Sequence, residues 1–211
     1  MEEGNVNIYH IYLCRHGRTE MNDKEEWSGS RSNVKLNKTG QKQAKELAKK
    51  IAPLGVQRIY SSTLLRTRQT VKIIKKFCGD LPETVCYNLR ECDFGECEGL
   101  VFEKATQKYG ERFVQDFLYP TQETWDNRFV GGESKHDVFN RVIKCLQWIV
   151  SKDEHCVVVV CHAGVLSAAQ CGLGLNPNDV SYDNGAILHL SYDKATEKWT
   201  QIKDQKKAVY V

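Results

Sequence analysis

Four consecutive valines, Val157 to Val160, bracketed by Cys156 and Cys161, constrain this chain more than any other feature. A run of β-branched residues this short is a strand, and one with no polar alternation is covered on both faces. Strands of that kind sit in the middle of parallel sheets, which need crossover helices on each side. The rest of the sequence supplies them. Ile8 to Cys14 reads as another buried strand. A helix capped by Thr39 repeats apolar residues at Ala44, Leu47, Ala48 and Ile51, and Pro53 and Gly55 end it.

Arg58 to Tyr60 is a third strand, followed by a helix with Leu64, Thr67, Val71 and Ile74 on one face; Val85 to Tyr87 reads as a further strand. Leu100 to Asn127 is polar, aromatic and weakly periodic, which predicts two or three short helices forming a cap around residues 100–130. Ser134 with Asp137 three residues on opens a helix whose Val138, Val142, Leu146 and Ile149 face inward. Ala163 to Gly172 is a short helix, and Ala186 to Tyr192 with Lys198 to Ile202 form a closing hairpin. The expected fold is a three-layer α/β/α sandwich with a mainly parallel central sheet. No linker or repeat interrupts it, so residues 1–211 read as a single domain with the cap as an insertion.

Composition narrows the function. Thirty Lys and Arg against 27 Asp and Glu leave a net charge of only +3, which does not ask for a nucleic-acid partner. No apolar run is long enough for a membrane span, and the N-terminus carries no signal-peptide pattern. The nine cysteines include no CxxC pair and read as buried free thiols in a reducing, cytoplasmic setting. The sequon Asn37-Lys38-Thr39 is then a chance match.

In a parallel sheet, ligands bind beyond the carboxyl ends of the strands. Three such ends carry similar chemistry: Arg15-His16-Gly17-Arg18-Thr19-Glu20-Met21-Asn22 after the first strand, Ser61-Ser62 and then Arg66 after the strand at Arg58, and His162-Ala163-Gly164 after the valines. Guanidinium forks and helix N-termini suit a phosphate dianion. Each element alone is weak: Arg68 reads as a solvated helix residue, and His10, His136, His155 and His189 as structural or surface histidines. A cysteine phosphatase needs Cys-x5-Arg, but Ser167 stands six places after Cys161 and Glu20 six places after Cys14. Those thiols read as strand residues packed behind the site, where oxidation could still block it.

Taken together, these segments resemble the histidine phosphatase superfamily, the phosphoglycerate mutase-like proteins, from Ile11 to Ile187. The resemblance also rests on Leu36-Asn37-Lys38-Thr39-Gly40-Gln41, Ser61-Ser62-Thr63-Leu64-Leu65-Arg66-Thr67, Leu89-Arg90-Glu91-Cys92-Asp93-Phe94-Gly95, Gly131-Gly132-Glu133-Ser134 and Val160-Cys161-His162-Ala163-Gly164-Val165. It implies that His16 is the nucleophile and that Arg15, Arg66 and His162 hold the phosphoryl oxygens. Asn22, the Ala163 amide, Arg18 and Thr19 complete the phosphate set, and Glu91 is the acid and base. It implies neither metal nor cofactor.

Cys92-Asp93-Phe94-Gly95 after Glu91, where mutases carry Arg-His-Tyr-Gly, places the chain nearer the phosphatase branch. The expected activity is hydrolysis of a small phosphorylated metabolite. The alternatives are a phosphoglycerate mutase and a catalytically inactive phosphate-binding module, and the chain is expected to be a monomer or homodimer. Asn33-Val34-Lys35-Leu36 departs from the family's Asp-x-Pro-Leu, and Ser167 stands where an arginine is common. Arg18, Glu20, Arg31, Lys35 and the cap aromatics Phe113, Phe117, Tyr119 and Trp125 are candidates for the rim that selects substrate; the aromatics read equally well as the buried face of the cap.

Overall fold

A computed structural model describes residues 7–203 of the chain. Strand β1 (Ile8–Arg15) leads through a one-turn helix α1 (Glu20–Asp23) to helix α2 (Lys38–Ile51), then strand β2 (Arg58–Ser61), helix α3 (Leu65–Cys78) and strand β3 (Glu83–Val85). Two short helices, α4 (Phe102–Tyr109) and α5 (Glu111–Leu118), precede helix α6 (Lys135–Val150). Strand β4 (Cys156–Cys161), helix α7 (Ala163–Gly172) and strands β5 (Ile187–Asp193) and β6 (Lys198–Gln201) follow.

The six strands form one sheet in the order β3-β2-β4-β1-β5-β6, parallel from β3 to β1 and antiparallel at β5 and β6. All six residues of β4 are buried, as the valine run requires. Its side chains alternate between two cores. Val157, Val159 and Cys161 pack with Val142, Leu146, Val165 and Leu166 of α6 and α7. Val158 and Val160 pack with Leu47, Ile51, Val71 and Ile74 of α2 and α3. Helices thus cover both faces, which is the three-layer arrangement expected.

Two boundaries differ from the sequence reading. The cap of α2 is Asn37, not Thr39: its side chain accepts a hydrogen bond from the Gly40 amide at 2.8 Å. Both residues are good caps, and backbone direction, invisible in the sequence, decides between them. Strand β3 pairs through Glu83–Val85 with β2, while Tyr87–Leu89 is a 3-10 turn.

Register explains the site. Arg15 lies opposite Cys161 and Ser61 opposite Val160, so β1, β2 and β4 end level on one edge. The ladder runs one residue further: the His16 amide donates to Cys161 O at 3.1 Å and the Ser62 amide to Val160 O at 3.2 Å. The loop after β1 then passes close over the start of α2. A Cβ on Gly17 would lie 2.2 Å from Gly40 O, and one on Gly40 would lie 2.0 Å from Arg18 O. Only glycine permits that approach.

Above this edge sits the cap. Trp27, from the loop after α1, is buried at its centre, ringed by Phe94, Phe102, Phe117 and Phe129 with ring centroids 4.7 to 5.8 Å away. No helix among the described residues is long and apolar enough to cross a membrane.

Candidate active site

Between cap and sheet edge lies a cavity of about 850 Å³ whose wall includes Arg15, His16, Arg18, Asn22, Glu91 and Ala163. His16 and His162, carried on neighbouring parallel strands, face each other with ring centroids 5.1 Å apart. Both are almost fully buried.

Hydrogen bonding sets the His16 tautomer. Its Nδ1 lies 2.7 Å from the Gly17 carbonyl, which can only accept, so Nδ1 carries the proton. Nε2 is left with a lone pair, directed at the Arg66 Nε–H 3.2 Å away. The Arg66 Nε also lies 3.3 Å from His162 Nδ1, and His162 Nε2 is 2.7 Å from the Ser62 hydroxyl, itself fixed by Thr67. Burial first, then the Arg66 and Arg15 charges, holds His16 well below its usual value; burial and Arg66 do the same to His162. Both imidazoles are therefore neutral at physiological pH.

Those shifts have a consequence for stability. His10 is lowered by burial and His189 is lowered to about 4 by burial and its neighbour His10. A histidine whose folded value is depressed stays neutral while the unfolded chain protonates near 6.5. Stability should therefore be flat above about pH 6.5 and fall below it, by up to about 1.4 kcal/mol per pH unit for each such histidine. Urea unfolding from pH 7.5 to 4.5 reads the slope; stability that rises on acidification would contradict the neutral, buried assignment.

Arg66 is fully buried at the first turn of α3. Its Nη1 donates to Ser32 O at 2.6 Å, and its Nη2 to Ser28 O and Gly29 O at 3.1 Å. One side chain thus ties the 28–32 loop to the sheet edge while pointing Nε between the two imidazoles. Burial lowers its pKa to about 10, against the favourable charges of Glu91 and Glu98, so it remains a cation. Arg15 donates through Nη1 to the Tyr182 carbonyl, while its buried Nε has no hydrogen-bond partner. A guanidinium N–H left unpaired at a cavity wall is what an incoming anion would satisfy.

Glu91 is also buried. Its carboxylate accepts the Cys92 amide at 2.8 Å and the Gly164 amide at 3.2 Å. Arg141 of α6 fixes the chain beneath it, donating to the carbonyls of Asn88, Arg90 and Glu91 and pairing with Glu133 at 2.8 Å. Glu133 in turn accepts the Asp93 amide at 2.9 Å. The Gly-Gly-Glu-Ser segment thus positions the loop that carries Glu91, with Ser134 and Asp137 forming the capping box of α6.

The remaining expected ligands divide. Asn22 lines the cavity, but its carboxamide oxygen accepts the Thr19 amide and an N–H of Asn184. Ala163 lines it as the first residue of α7, where an amide has no intrahelical acceptor. Arg18 lines it too, paired with Asp23. Thr19 is fully buried and its hydroxyl caps α1, so it is a scaffold residue of the loop and not part of the wall.

Of the rim candidates, Arg18 and Tyr119 line the cavity, whereas Glu20 and Lys35 are exposed elsewhere. Arg31 is engaged with Asp93 and Gly131 O. Phe113 and Phe117 pack into the aromatic cluster, and Trp125 stacks on His136 at 4.0 Å. Arg68 pairs with Glu83 at 3.1 Å. His10 and His189 contact each other at 3.0 Å, and His155 stacks on Tyr9, away from the cavity.

Cys14 and Cys161 are fully buried and burial pushes both thiols up, so neither is an accessible thiolate and the oxidative block expected of them loses its physical basis. All nine cysteines are free. Sequence reasoning missed Tyr182, Asp183 and Asn184, which line the cavity from the loop before β5, and Lys135 at the start of α6. No motif marks the loop; an isolated lysine after a serine cap was the one available signal.

The chain matches the histidine phosphatase superfamily (branch 1) over residues 11–205 and belongs to it. Among relatives, it is 31% identical to phosphoglycerate mutase-like protein 4 of Arabidopsis thaliana over 76% of this chain and 69% of that protein. It is 31% identical to the uncharacterized phosphatase PhoE of Bacillus subtilis over 59% of this chain and 63% of that one. It is 35% identical to the probable phosphoglycerate mutase GpmB of Salmonella typhi, over 63% and 59% respectively. The last two matches span less than two thirds of those relatives' length.

Among solved structures, a mycobacterial glucosyl-3-phosphoglycerate phosphatase superposes with a TM-score of 0.76 at 21% identity, covering 92% of this chain and 97% of that one. The phosphoglycerate mutase of Bacillus anthracis superposes with a TM-score of 0.79 at 19% identity, covering 97% and 96%. At those identities the likeness is one of fold.

Proposed function

We propose that this protein hydrolyses phosphomonoesters through a phosphohistidine at His16. The observation that carries the reading is a neutral, buried His16 on the wall of a cavity, whose Nε2 keeps its lone pair and is held by the Arg66 Nε–H, with His162 facing the ring. In the first step Nε2 forms a bond to phosphorus as the ester P–O bond breaks, and Glu91 protonates the departing oxygen. In the second, water attacks phosphorus, Glu91 takes its proton, and the P–N bond breaks to release inorganic phosphate and free His16.

In this reading Arg15 Nε, the Ala163 amide and Arg66 Nε, the last released from His16 Nε2 as that atom bonds to phosphorus, donate to the transferring group and offset its charge. A bound dianion also favours protonation of His162 Nδ1, which then donates to it. No group of three or more His, Cys, Asp or Glu that could hold a metal occurs among the described residues, and the guanidinium set supplies equivalent charge. Nine free thiols support a reducing compartment such as the cytoplasm.

Rapid acid-free quenching with a phosphorylated aryl ester should trap acid-labile phosphate on the chain. Activity should survive EDTA and be inhibited by vanadate. Glu91→Gln should slow alkyl phosphates about 10²- to 10⁴-fold, but p-nitrophenyl phosphate, whose leaving group needs no proton, much less. Equal losses on both would assign the proton to another group. Conversion of 3-phosphoglycerate to its isomer without phosphate release would replace hydrolysis by mutase activity.

A further inference from the structure

The cavity is far larger than a phosphoryl group, and its wall contains a cation that the chemistry above does not use. Lys135 is the first residue of α6 and only 2% exposed. A lysine there is doubly unfavourable: it is desolvated, and it sits at the positive end of a helix. Such a side chain is ordinarily kept by a carboxylate. Lys135 has none: among the described residues it makes no hydrogen bond or ion pair, and its ammonium rests over Phe117 at 4.2 Å and Phe94 at 5.8 Å.

A second unsatisfied donor packs on the same two rings. Trp27, with centroids 4.8 Å from Phe94 and 5.8 Å from Phe117, has a buried Nε1–H without an acceptor. Trp27, Phe94 and Lys135 all line the cavity that holds His16. Four acidic residues line the cavity, Glu25, Glu26, Glu91 and Asp183, and none forms an ion pair with the ammonium: Glu91 is bound by the Cys92 and Gly164 amides, Glu25 and Asp183 are exposed, and Glu26 is half-buried.

We infer that Lys135 anchors a second anionic group of the substrate, so that the preferred phosphomonoesters carry a carboxylate or a further phosphate on the organic part. The inference rests on the phosphatase reading and deepens it, by assigning the substrate class to a residue outside the phosphate-binding set. Phe94 and Phe117 shape the subsite: they support the ammonium through their ring faces without competing for its hydrogen-bond donors. An anion entering there meets a preorganised, largely dry charge.

Matched substrates test it. Steady-state kcat/KM is compared for propyl phosphate, 3-phosphooxypropanoate and 1,3-propanediol bisphosphate in the wild type, Lys135→Met and Lys135→Arg. Met keeps the unbranched stem over the rings and removes the charge. The wild type should prefer at least one dianchored ester over propyl phosphate by about tenfold or more. Which one it prefers tells carboxylate from phosphate. Lys135→Met should bring that ratio down to about one, chiefly through KM, and Lys135→Arg should restore part of it.

Equal kcat/KM for all three esters in the wild type overturns the proposal without need of a variant. So does a Lys135→Met enzyme that loses activity on all three in proportion. Calorimetric titration of the His16→Ala protein with the same compounds reads the preference without turnover. A chain that binds the dianchored esters more tightly yet releases no phosphate would refute hydrolysis and leave the anchor standing.

Discussion

His16→Ala is expected to reduce phosphomonoester turnover by about 10⁴-fold or more, as removal of a nucleophile does in other covalent enzymes, while the protein stays folded. The structure allows both effects from one substitution. Chemistry needs Nε2, and the second imidazole is not placed to replace it: His162 is fully buried, does not line the cavity, and has its Nε2 committed to Ser62. Folding needs little of this side chain. The imidazole makes two hydrogen bonds, one to its neighbouring Gly17 O and one from the Arg66 Nε–H, and lies beside an existing cavity, so its loss costs about 1–2 kcal/mol. At this chain length that is a melting shift of about 2–8 °C.

The variant should also lose stability less steeply than the wild type below pH 6.5, because one depressed histidine has gone. Calorimetry and a p-nitrophenyl phosphate assay on the same preparation check the pair. A folded variant with more than a few per cent of wild-type turnover would remove His16 from the mechanism.

How far the sequence carried the reader depends on where information is local. The strands were legible because an unbroken apolar run has one structural meaning, and the buried β4 between two cores agrees with it. The convergence of His16, Ser62 and His162 followed from strand direction, since parallel strands ending level put their next residues side by side. What escaped was whatever depended on partners distant in sequence. Thr39 and Asn37 are chemically equivalent caps, and only the path of the 28–37 loop selects Asn37. Val85 to Tyr87 has more β propensity than Glu83 to Val85, yet β2 pairs with the latter.

Phe113 and Phe117 read from the sequence equally well as rim or as the buried face of the cap, and the structure puts them on the buried face. Phe117 packs on Trp27, ninety residues away, and Phe113 on Tyr109 and Phe129. Tyr182 reaches the site through its carbonyl, bonded to Arg15, and a backbone oxygen leaves no trace in a sequence. Lys135 was visible as a letter, but its burial was not.

Arg66 should behave in the opposite way to His16 with respect to stability, and the contrast separates a reacting group from one that also builds the site. Arg66→Met removes the cation between the imidazoles and, with it, the donors to three carbonyls, Ser28, Gly29 and Ser32. Each carbonyl left unpaired in the interior costs about 1–3 kcal/mol. Some relief comes if the 28–32 loop swings toward water, so a net loss of about 3–5 kcal/mol is expected, lowering the melting temperature by about 10 °C. Turnover, measured well below that melt, should fall about 10²- to 10³-fold through loss of transition-state charge stabilisation.

Arg66→Lys distinguishes the two contributions. An ammonium can supply charge near His16, but it cannot span three carbonyls with a planar fork while directing an N–H between the rings. It should therefore recover some turnover and little of the melting temperature. The Glu98 carboxylate, which accepts the amides of Gly29 and Arg31 and the Ser32 hydroxyl, still holds the far side of the loop, so the defect stays local and the cavity persists. If Arg66→Met melted with the wild type, the guanidinium would not be the tie between loop and sheet. If it also kept full turnover at low temperature, the charge set proposed for the transferring phosphoryl group would have lost its central member.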